Sequence, residues 1–511
     1  MTQAATGVGI WGWIWMGLFL AIFLGIGLYG MRKTHTGEDF AVARNAYGPI
    51  TLALALAATI ASGSTFMGIP GLAYSKGFAA IWYPAIYPIA IYLGLIVTVK
   101  VLKRVGDRFR SNSLPELMGQ RYDSEVLRIA FSLLSLLLIY YITAQFVAAA
   151  TIFEYILGMK YQSAVLLTVG VVAFYIGLGG THADIMTDGV QGLMMMLIAL
   201  AIAVLFLVSY GMEGTGPGAV NAALVAQDPA LGWDNYFAPG DPIFGSIWLV
   251  ILMFIAHLPF AMNPHIGKLA FALNEPRHLR TFLILAIPIG SILGFTVLGG
   301  LHARAVLGPD IRPDAAIPAL MTHLFPPAIA GLLGVGILSA IMSTADGLFI
   351  AIAVLFSNDL YKRTLAPRMH AHKTPEQIDH IALWISRIAT VAVGAVAVVL
   401  AWDPPRFLSV LLWIGVGGIV SGAAGPLVVG LLWRRATRAG AIASFFTGVL
   451  LYAGLYVVVG WTNPFGVAGV CVVAASAVMI LVSLMTRPMD ERYLARIFGA
   501  AGEARRPSPA G

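Results

Sequence analysis

Long apolar runs alternate with short polar connections along the whole chain. A helix needs about 20 apolar residues to cross the roughly 30 Å hydrocarbon core of a bilayer. Thirteen stretches reach that length, at about 9–30, 48–73, 79–99, 125–156, 162–180, 187–210, 243–263, 281–303, 327–356, 379–401, 407–432, 440–460 and 467–486. The pattern predicts an all-α polytopic membrane protein with thirteen transmembrane helices. The first run, Ile10–Tyr29, has no Lys or Arg before it. It is expected to be a retained span and not a cleavable signal peptide.

Two of these runs are interrupted. The second contains Ser62-Gly63-Ser64-Thr65-Phe66-Met67-Gly68-Ile69-Pro70-Gly71, and the seventh contains His257-Leu258-Pro259-Phe260-Ala261-Met262-Asn263-Pro264-His265-Ile266-Gly267. Broken backbone inside a bilayer is tolerated where it is buried in protein or lines a cavity. If spans two to six and seven to eleven are repeats, each break falls in the first helix of its repeat. Paired breaks at corresponding positions point to a transporter binding site. Five helices is an odd number, so the second repeat starts from the opposite side, as an inverted repeat requires. The expected divisions are an N-terminal extra helix (1–40), two five-helix repeats (45–212 and 243–433), two C-terminal helices (438–488) and a cytoplasmic tail (489–511).

Composition narrows the class. Of 511 residues, 59% are hydrophobic and only 11% charged, against about 25% charged in soluble proteins. That excludes a soluble enzyme and a disordered chain. The net charge of +7 does not signal nucleic acid, because its bases sit in clusters between apolar runs. They sort by side instead. With the N-terminus outside, 26 of the 31 Lys and Arg lie on inner connections or the tail, and only Lys76, Lys160, Arg304, Arg312 and Arg406 lie outside. This partition predicts an N-out, C-in inner-membrane protein. The outer Gly211–Pro242 connection has four carboxylates and no base, in keeping with that side. The lone cysteine, Cys471, excludes an internal disulfide and a cysteine metal site.

The ninth span carries Gly336-Ile337-Leu338-Ser339-Ala340-Ile341-Met342-Ser343-Thr344-Ala345-Asp346-Gly347. Sodium is a hard cation and takes oxygen ligands. The adjacent Ser343 and Thr344 hydroxyls suit part of such a shell. Equally, Ser and Thr in membrane helices bond back to the preceding turn or pack as small faces. Asp188, at the start of a span, either caps a helix N-terminus or serves a cavity. Asp346 lies three residues after Ser343 and so faces nearly the same way. An intramembrane acid is a functional candidate, as a cation ligand, a proton carrier, the partner of a base or a helix cap.

The ninth-span motif resembles the signature of the sodium/solute symporter family. Gly179-Gly180-Thr181-His182-Ala183-Asp184-Ile185-Met186-Thr187-Asp188-Gly189-Val190-Gln191 is similar to a second family motif: two glycines, an alanine, then Thr-Asp-x-x-Gln. Gly68-Ile69-Pro70-Gly71 and Asn263-Pro264-His265-Ile266 resemble the family's segments at the two breaks. The resemblance implies a LeuT-like 5+5 inverted repeat and sodium-coupled solute uptake. It implies a sodium site between spans two and nine, on the carbonyls of Ala58, Ala61 and Ala340 and the hydroxyls of Ser343 and Thr344. It also places Asp188 on the sodium path or in an accessory cation site. Where relatives with a second sodium carry hydroxyls, this chain has Ala345 and Asp346, so Asp346 is an accessory cation candidate that departs from the pattern.

The solute is expected at the two breaks, near the bilayer midplane. Candidate contacts are Ser62, Gly63, Ser64 and Thr65, then Gln145, then His257, Phe260 and Asn263, with Trp413 and Gly417 closing the outer side. Gln145 is alternatively a helix–helix hydrogen bond, and Trp413 alternatively core packing. No Arg is expected in this cavity. A monocarboxylate can be held there by half-helix N-terminal amides and hydroxyls, with His257 as a weak positive group. The overall likeness, including Ala401-Trp402-Asp403-Pro404-Pro405, Gly425-Pro426-Leu427-Val428-Val429-Gly430-Leu431 and Arg304-Ala305-Val306, is to the pantothenate and monocarboxylate branch. Ile60 stands where some proline carriers have an aspartate. Other readings are a carrier of an amino acid or sugar, a membrane enzyme using His182, Asp184 and Asp188, and a transporter-like sensor. About 25 residues follow the last span, too few for a kinase domain.

Overall fold

The structure, a computed structural model, describes residues 5–403 and 408–498. Arg406, the Pro404-Pro405 end of one likeness stretch and the tail beyond Phe498 lie outside the described residues. Among the described residues there is no strand, only an isolated parallel bridge between Tyr47 and Leu273.

The chain opens with α1 (Ala5–Met31). The first broken span follows as α2 (Pro49–Ile60) and α3 (Ile69–Lys76). Next come α4 (Trp82–Phe109), α5 (Glu125–Ser135), α6 (Leu138–Leu157) and α7 (Tyr161–Val208). The second broken span comprises α8 (Ile247–His257) and α9 (Pro264–Gly267). It is followed by α10 (Leu279–Leu293), α11 (Thr296–Leu307), α12 (Pro327–Val354) and α13 (Pro375–Ala401). The last three are α14 (Leu408–Ala423), α15 (Arg438–Ala453) and α16 (Pro464–Met485).

Local chemistry sets these ends. Pro49 and Pro264 sit in first turns, where a missing N–H costs nothing. Ser124, Thr374, Thr437 and Asn463 cap the N-termini of α5, α13, α15 and α16 with side-chain oxygens.

By length and composition, ten described helices can cross a membrane, or eleven with the bent pair Ile247–Met262 and Pro264–Ala272 counted as one span. The sequence pattern led to an expectation of thirteen. The difference lies in continuous helical runs where separate spans are expected, Ser64–Phe109 and Tyr161–Val208, and in α2, which is short. Both runs turn at a glycine with positive φ, Gly77 at 60° and Gly180 at 52°. At Gly180 a Cβ would also lie 2.8 Å from the Phe40 Cα. The chain therefore reverses without leaving helical hydrogen bonding for long.

Both expected breaks are present. α2 stops at Ile60, and the second broken span bends by 51°. The segments flanking the two breaks also meet at backbone level: the Tyr47 N–H donates to Ala272 O at 3.1 Å, and the Asn274 N–H to Tyr47 O at 2.9 Å. α12 is the centre of the bundle, packed on α1, α6 and α7. Of its most apolar window, 94% is buried inside the protein, against 28% for α1. A lipid-facing helix would not be so covered, so the polar residues of α12 look into protein.

Candidate functional site

The first break frees a set of carbonyls. In an unbroken helix the carbonyls of Ala58, Thr59, Ile60 and Ala61 would accept from the amides four residues on. Each of those amides donates elsewhere. The Ser62 N–H goes to Thr65 Oγ1 at 3.3 Å, and the Gly63 N–H to Gln145 Oε1 at 2.9 Å. The Ser64 N–H goes to Ser62 Oγ at 3.1 Å, and the Thr65 N–H to the Ser62 carbonyl at 2.8 Å. Four buried oxygens are thus left without helical donors. Opposite them, the Thr344 hydroxyl lies 3.4 Å from Ala61 O and 3.5 Å from Thr59 O. These are long contacts, roomier than a tight hydrogen bond. Ser343 is fully buried beside Asp188 without closing a hydrogen bond. Of the residues expected to hold sodium, Ala61 and Thr344 are brought into contact here; Ser343 precedes Thr344, Ala58 is one turn before Ala61 on α2, and Ala340 is one turn before Thr344 on the same buried helix.

Acids adjoin this place. The Asp188 Oδ2 lies 2.8 Å from the Thr59 hydroxyl, so Asp188 touches the last turn of α2. It is eight residues beyond the Gly180 turn and caps no helix, which removes the capping reading. Carboxylate oxygens of Asp184, Asp188 and Asp346 lie within 4.8 Å of one another, all three buried. Lys268, just past α9, reaches Asp184 Oδ2 at 2.9 Å. The Tyr175 hydroxyl donates to Asp346. Oxygens on Asp184 and Asp188 remain unpaired. This donor set, carboxylate and hydroxyl oxygen without sulfur, fits a hard cation.

A small cavity of about 30 Å³ lies beyond the break. It is lined by Ser62, Ser64, Thr65, His257, Phe260 and Trp413, and by Tyr83, Tyr87 and Tyr141. A ligand-filled pocket is typically about 300–1,000 Å³, so this conformation is closed around the site. The His257 Nδ1 is 2.7 Å from Met253 O, which makes it the donor.

Residues 40–448 match the model of the sodium:solute symporter family. The chain belongs to that family. The symporter is 29% identical over 453 residues to the sodium/pantothenate symporter of Escherichia coli, covering 86% of this chain and 89% of that protein. It is 28% identical over 446 residues to the sodium/proline symporter of the same organism, covering 83% and 84%. A solved Na+-coupled sialic acid symporter, in a substrate-bound outward-open state, superposes with a TM-score of 0.73 at 18% identity, over 94% of this chain and 99% of that one. That likeness establishes the LeuT-like fold. The relatives are transporters, so the enzyme reading is set aside; His182 pairs with Tyr47, at 2.9 Å, and not with the aspartates.

Four expected solute contacts do not line the symporter's cavity. Gly63 and Gln145 are engaged with each other. The Asn263 side-chain N–H donates to Phe260 O at 2.7 Å. A Cβ on Gly417 would fall 2.1 Å from the Tyr452 hydroxyl, so that glycine serves the contact between α14 and α15. Sequence reasoning missed the tyrosine wall of Tyr83, Tyr87 and Tyr141: the Tyr87 and Tyr141 hydroxyls face Thr65 and Ser62, and the Tyr83 hydroxyl faces Trp413. It also missed Lys268 and Tyr175. A lysine four residues past Pro264 was a signal for the former, since a base next to a broken intramembrane helix needs a partner. Tyr175 lies in an ordinary apolar run and offered none.

Proposed function

We propose that this chain carries out sodium-coupled symport of a small organic monocarboxylate, of pantothenate or lactate/pyruvate type, by alternating access. The observation that carries the sodium reading is the diversion of four successive amides, which leaves the Ala58–Ala61 carbonyls without helical donors and two of them, on Thr59 and Ala61, facing Thr344. Sodium would sit on Ala58, Ala61, Ala340, Ser343 and Thr344, with Asp188 and Asp346 as accessory groups. Its entry would neutralise oxygens that now lack donors.

The solute reading rests on the cavity wall. It offers Ser, Thr and Tyr hydroxyls and His257 and, among the described residues, no Lys or Arg. Such a wall suits one carboxylate and further hydroxyls better than a dianion. The likeness to the pantothenate relative supports this choice, and Ile60 in the wall disfavours a zwitterion's ammonium group. The likeness to the proline relative keeps an amino acid as the second reading. The N-terminus lies outside in this proposal, because the inner connections carry the bases.

Uptake of labelled pantothenate, lactate, pyruvate and proline into proteoliposomes tests the proposal. Accumulation of one monocarboxylate, driven by a sodium gradient and abolished in choline, is expected. Accumulation of proline alone would transfer the assignment to the second reading. Binding without counterflow would indicate a sensor.

A further inference from the structure

Gln145 is buried, 1% exposed, in the middle of α6. Of the four acceptors that take amides away from the end of α2, three belong to the broken segment itself: Thr65 Oγ1, Ser62 Oγ and Ser62 O. The Gln145 Oε1 is the one contributed by another helix, at 2.9 Å from the Gly63 nitrogen. The glycine makes this approach possible. A Cβ at position 63 would lie 3.0 Å from Gln145 Oε1, 3.0 Å from the Ile341 Cγ1 and 3.2 Å from the Ala148 Cβ. Gly63 is therefore clamped between α6 and α12, and the α12 side of the clamp is the residue after Ala340.

We infer that Gln145 is a positioning residue of the cation site: by holding the Gly63 amide it keeps the Thr59 carbonyl free and sets the spacing between the end of α2 and the Ser343–Thr344 turn. This rests on the sodium reading proposed above. Without the Gln145 oxygen, the Gly63 N–H is free to close back on Thr59 O, the ordinary helical partner four residues earlier. The break would then tighten and the carbonyl set would turn from the hydroxyls. Ser62, Ser64 and Thr65 follow directly, so the same bond transmits the break's geometry to the cavity wall.

The test uses the purified full-length protein in detergent, with thermal unfolding followed while NaCl replaces choline chloride at constant ionic strength. Stabilisation by sodium reads binding directly. Gln145→Leu, close in shape but without an acceptor, is expected to raise the sodium midpoint about tenfold, the effect of one lost hydrogen bond in a buried site. Gln145→Glu keeps an acceptor oxygen and is expected to stay within about twofold of the parent. Gly63→Ala forces the clamp apart and should raise the midpoint as Gln145→Leu does, with the double variant no worse than either single one. Unfolding in choline alone should be close to that of the parent for Gln145→Leu. A sodium response in the parent with the same midpoint in Gln145→Leu overturns the positioning role. Equal loss in the Leu and Glu variants overturns it too. A parent that ignores sodium overturns the sodium site itself, and the inference with it.

Discussion

The Tyr175 hydroxyl oxygen stands 2.5 Å from each carboxylate oxygen of Asp346. One donor thus serves two acceptors, and the pair ties α7 to α12 inside a region where both residues are buried. Asp346 is therefore neither a helix cap nor the direct partner of a base. It is a carboxylate with one hydroxyl donor, near Asp188 and Asp184, one turn from Ser343. That arrangement is short of positive charge on the protein side.

Tyr175→Phe should separate the structural share of this pair from its cation share. Removing the donor leaves buried acceptors without a partner, at a cost of about 1–3 kcal/mol. Asp346→Asn keeps a polar partner for Tyr175 and should disturb folding less, while shifting cation dependence more. Thermal unfolding and sodium titration of both variants check this ordering. A normal sodium response in Asp346→Asn would assign Asp346 to structure.

The Lys268–Asp184 pair has side chains only 4% and 1% exposed. Deleting one partner strands a buried charge, so Lys268→Met should destabilise by about 3–5 kcal/mol. Replacing both, Asp184→Leu with Lys268→Met, should recover most of that loss, since neither charge is then left unpaired. Unfolding midpoints of the two variants decide it. No recovery in the double variant would mean that Lys268 acts on Asp188 and Asp346 instead.

Much of this arrangement was legible beforehand, and the reasons differ by level. The broken helices showed themselves because Gly and Pro cluster at 62–71 and 257–267, where an unbroken span would avoid them. Ser343, Thr344, Asp188 and Asp346 were legible because polar groups inside apolar runs are few. The turns at Gly77 and Gly180 were legible as gaps between apolar runs, at 73–79 and 180–187, although a positive-φ glycine turns the chain there with almost no polar loop to mark it. The solute wall was the least legible. Tyr83, Tyr87 and Tyr141 come from two helices, and nothing local distinguishes a tyrosine facing a cavity from one facing lipid. Gln145 was noticed as a costly buried amide, but its partner is a backbone N–H, which side-chain patterns do not reveal.

Between the two broken spans, Lys76 binds Asp241 Oδ2 at 2.8 Å, and the Ile243 and Phe244 amides donate to Oδ1 at 2.8 and 2.9 Å. Burial pushes the Asp241 carboxyl upward, but Lys76 and the two amides outweigh it and hold the group below the usual carboxylate range. The sign follows. A lowered folded value means the stabilisation is present above the unfolded value of about 3.9. It is lost as pH falls through the lower folded value. Hydrogen exchange of residues 238–246 should therefore stay slow from pH 7 down to about pH 4 and accelerate below it. Lys76→Gln should move that onset to higher pH. An onset that ignores Lys76 would mean the amides alone hold the turn.

Ser343 and Thr344 give the sharpest test of the cation site, because the structure treats them differently. The Ser343 hydroxyl lies beside Asp188 without a well-formed hydrogen bond, so Ser343→Ala removes only a weak protein contact. Its stability without sodium should change little. Thr344 makes only the long contacts to Thr59 O and Ala61 O, so Thr344→Ala should lose less than about 1 kcal/mol in choline. If both hydroxyls bind the ion, each substitution still removes a ligand oxygen. The sodium needed for half-maximal uptake should then rise about five- to thirtyfold in each, the equivalent of about 1–2 kcal/mol. Small stability effects beside large sodium effects would mark ligands, not packing. Unchanged sodium dependence in both variants would remove the site from the Ser343–Thr344 turn and leave the freed carbonyls of α2 without an ion to explain them.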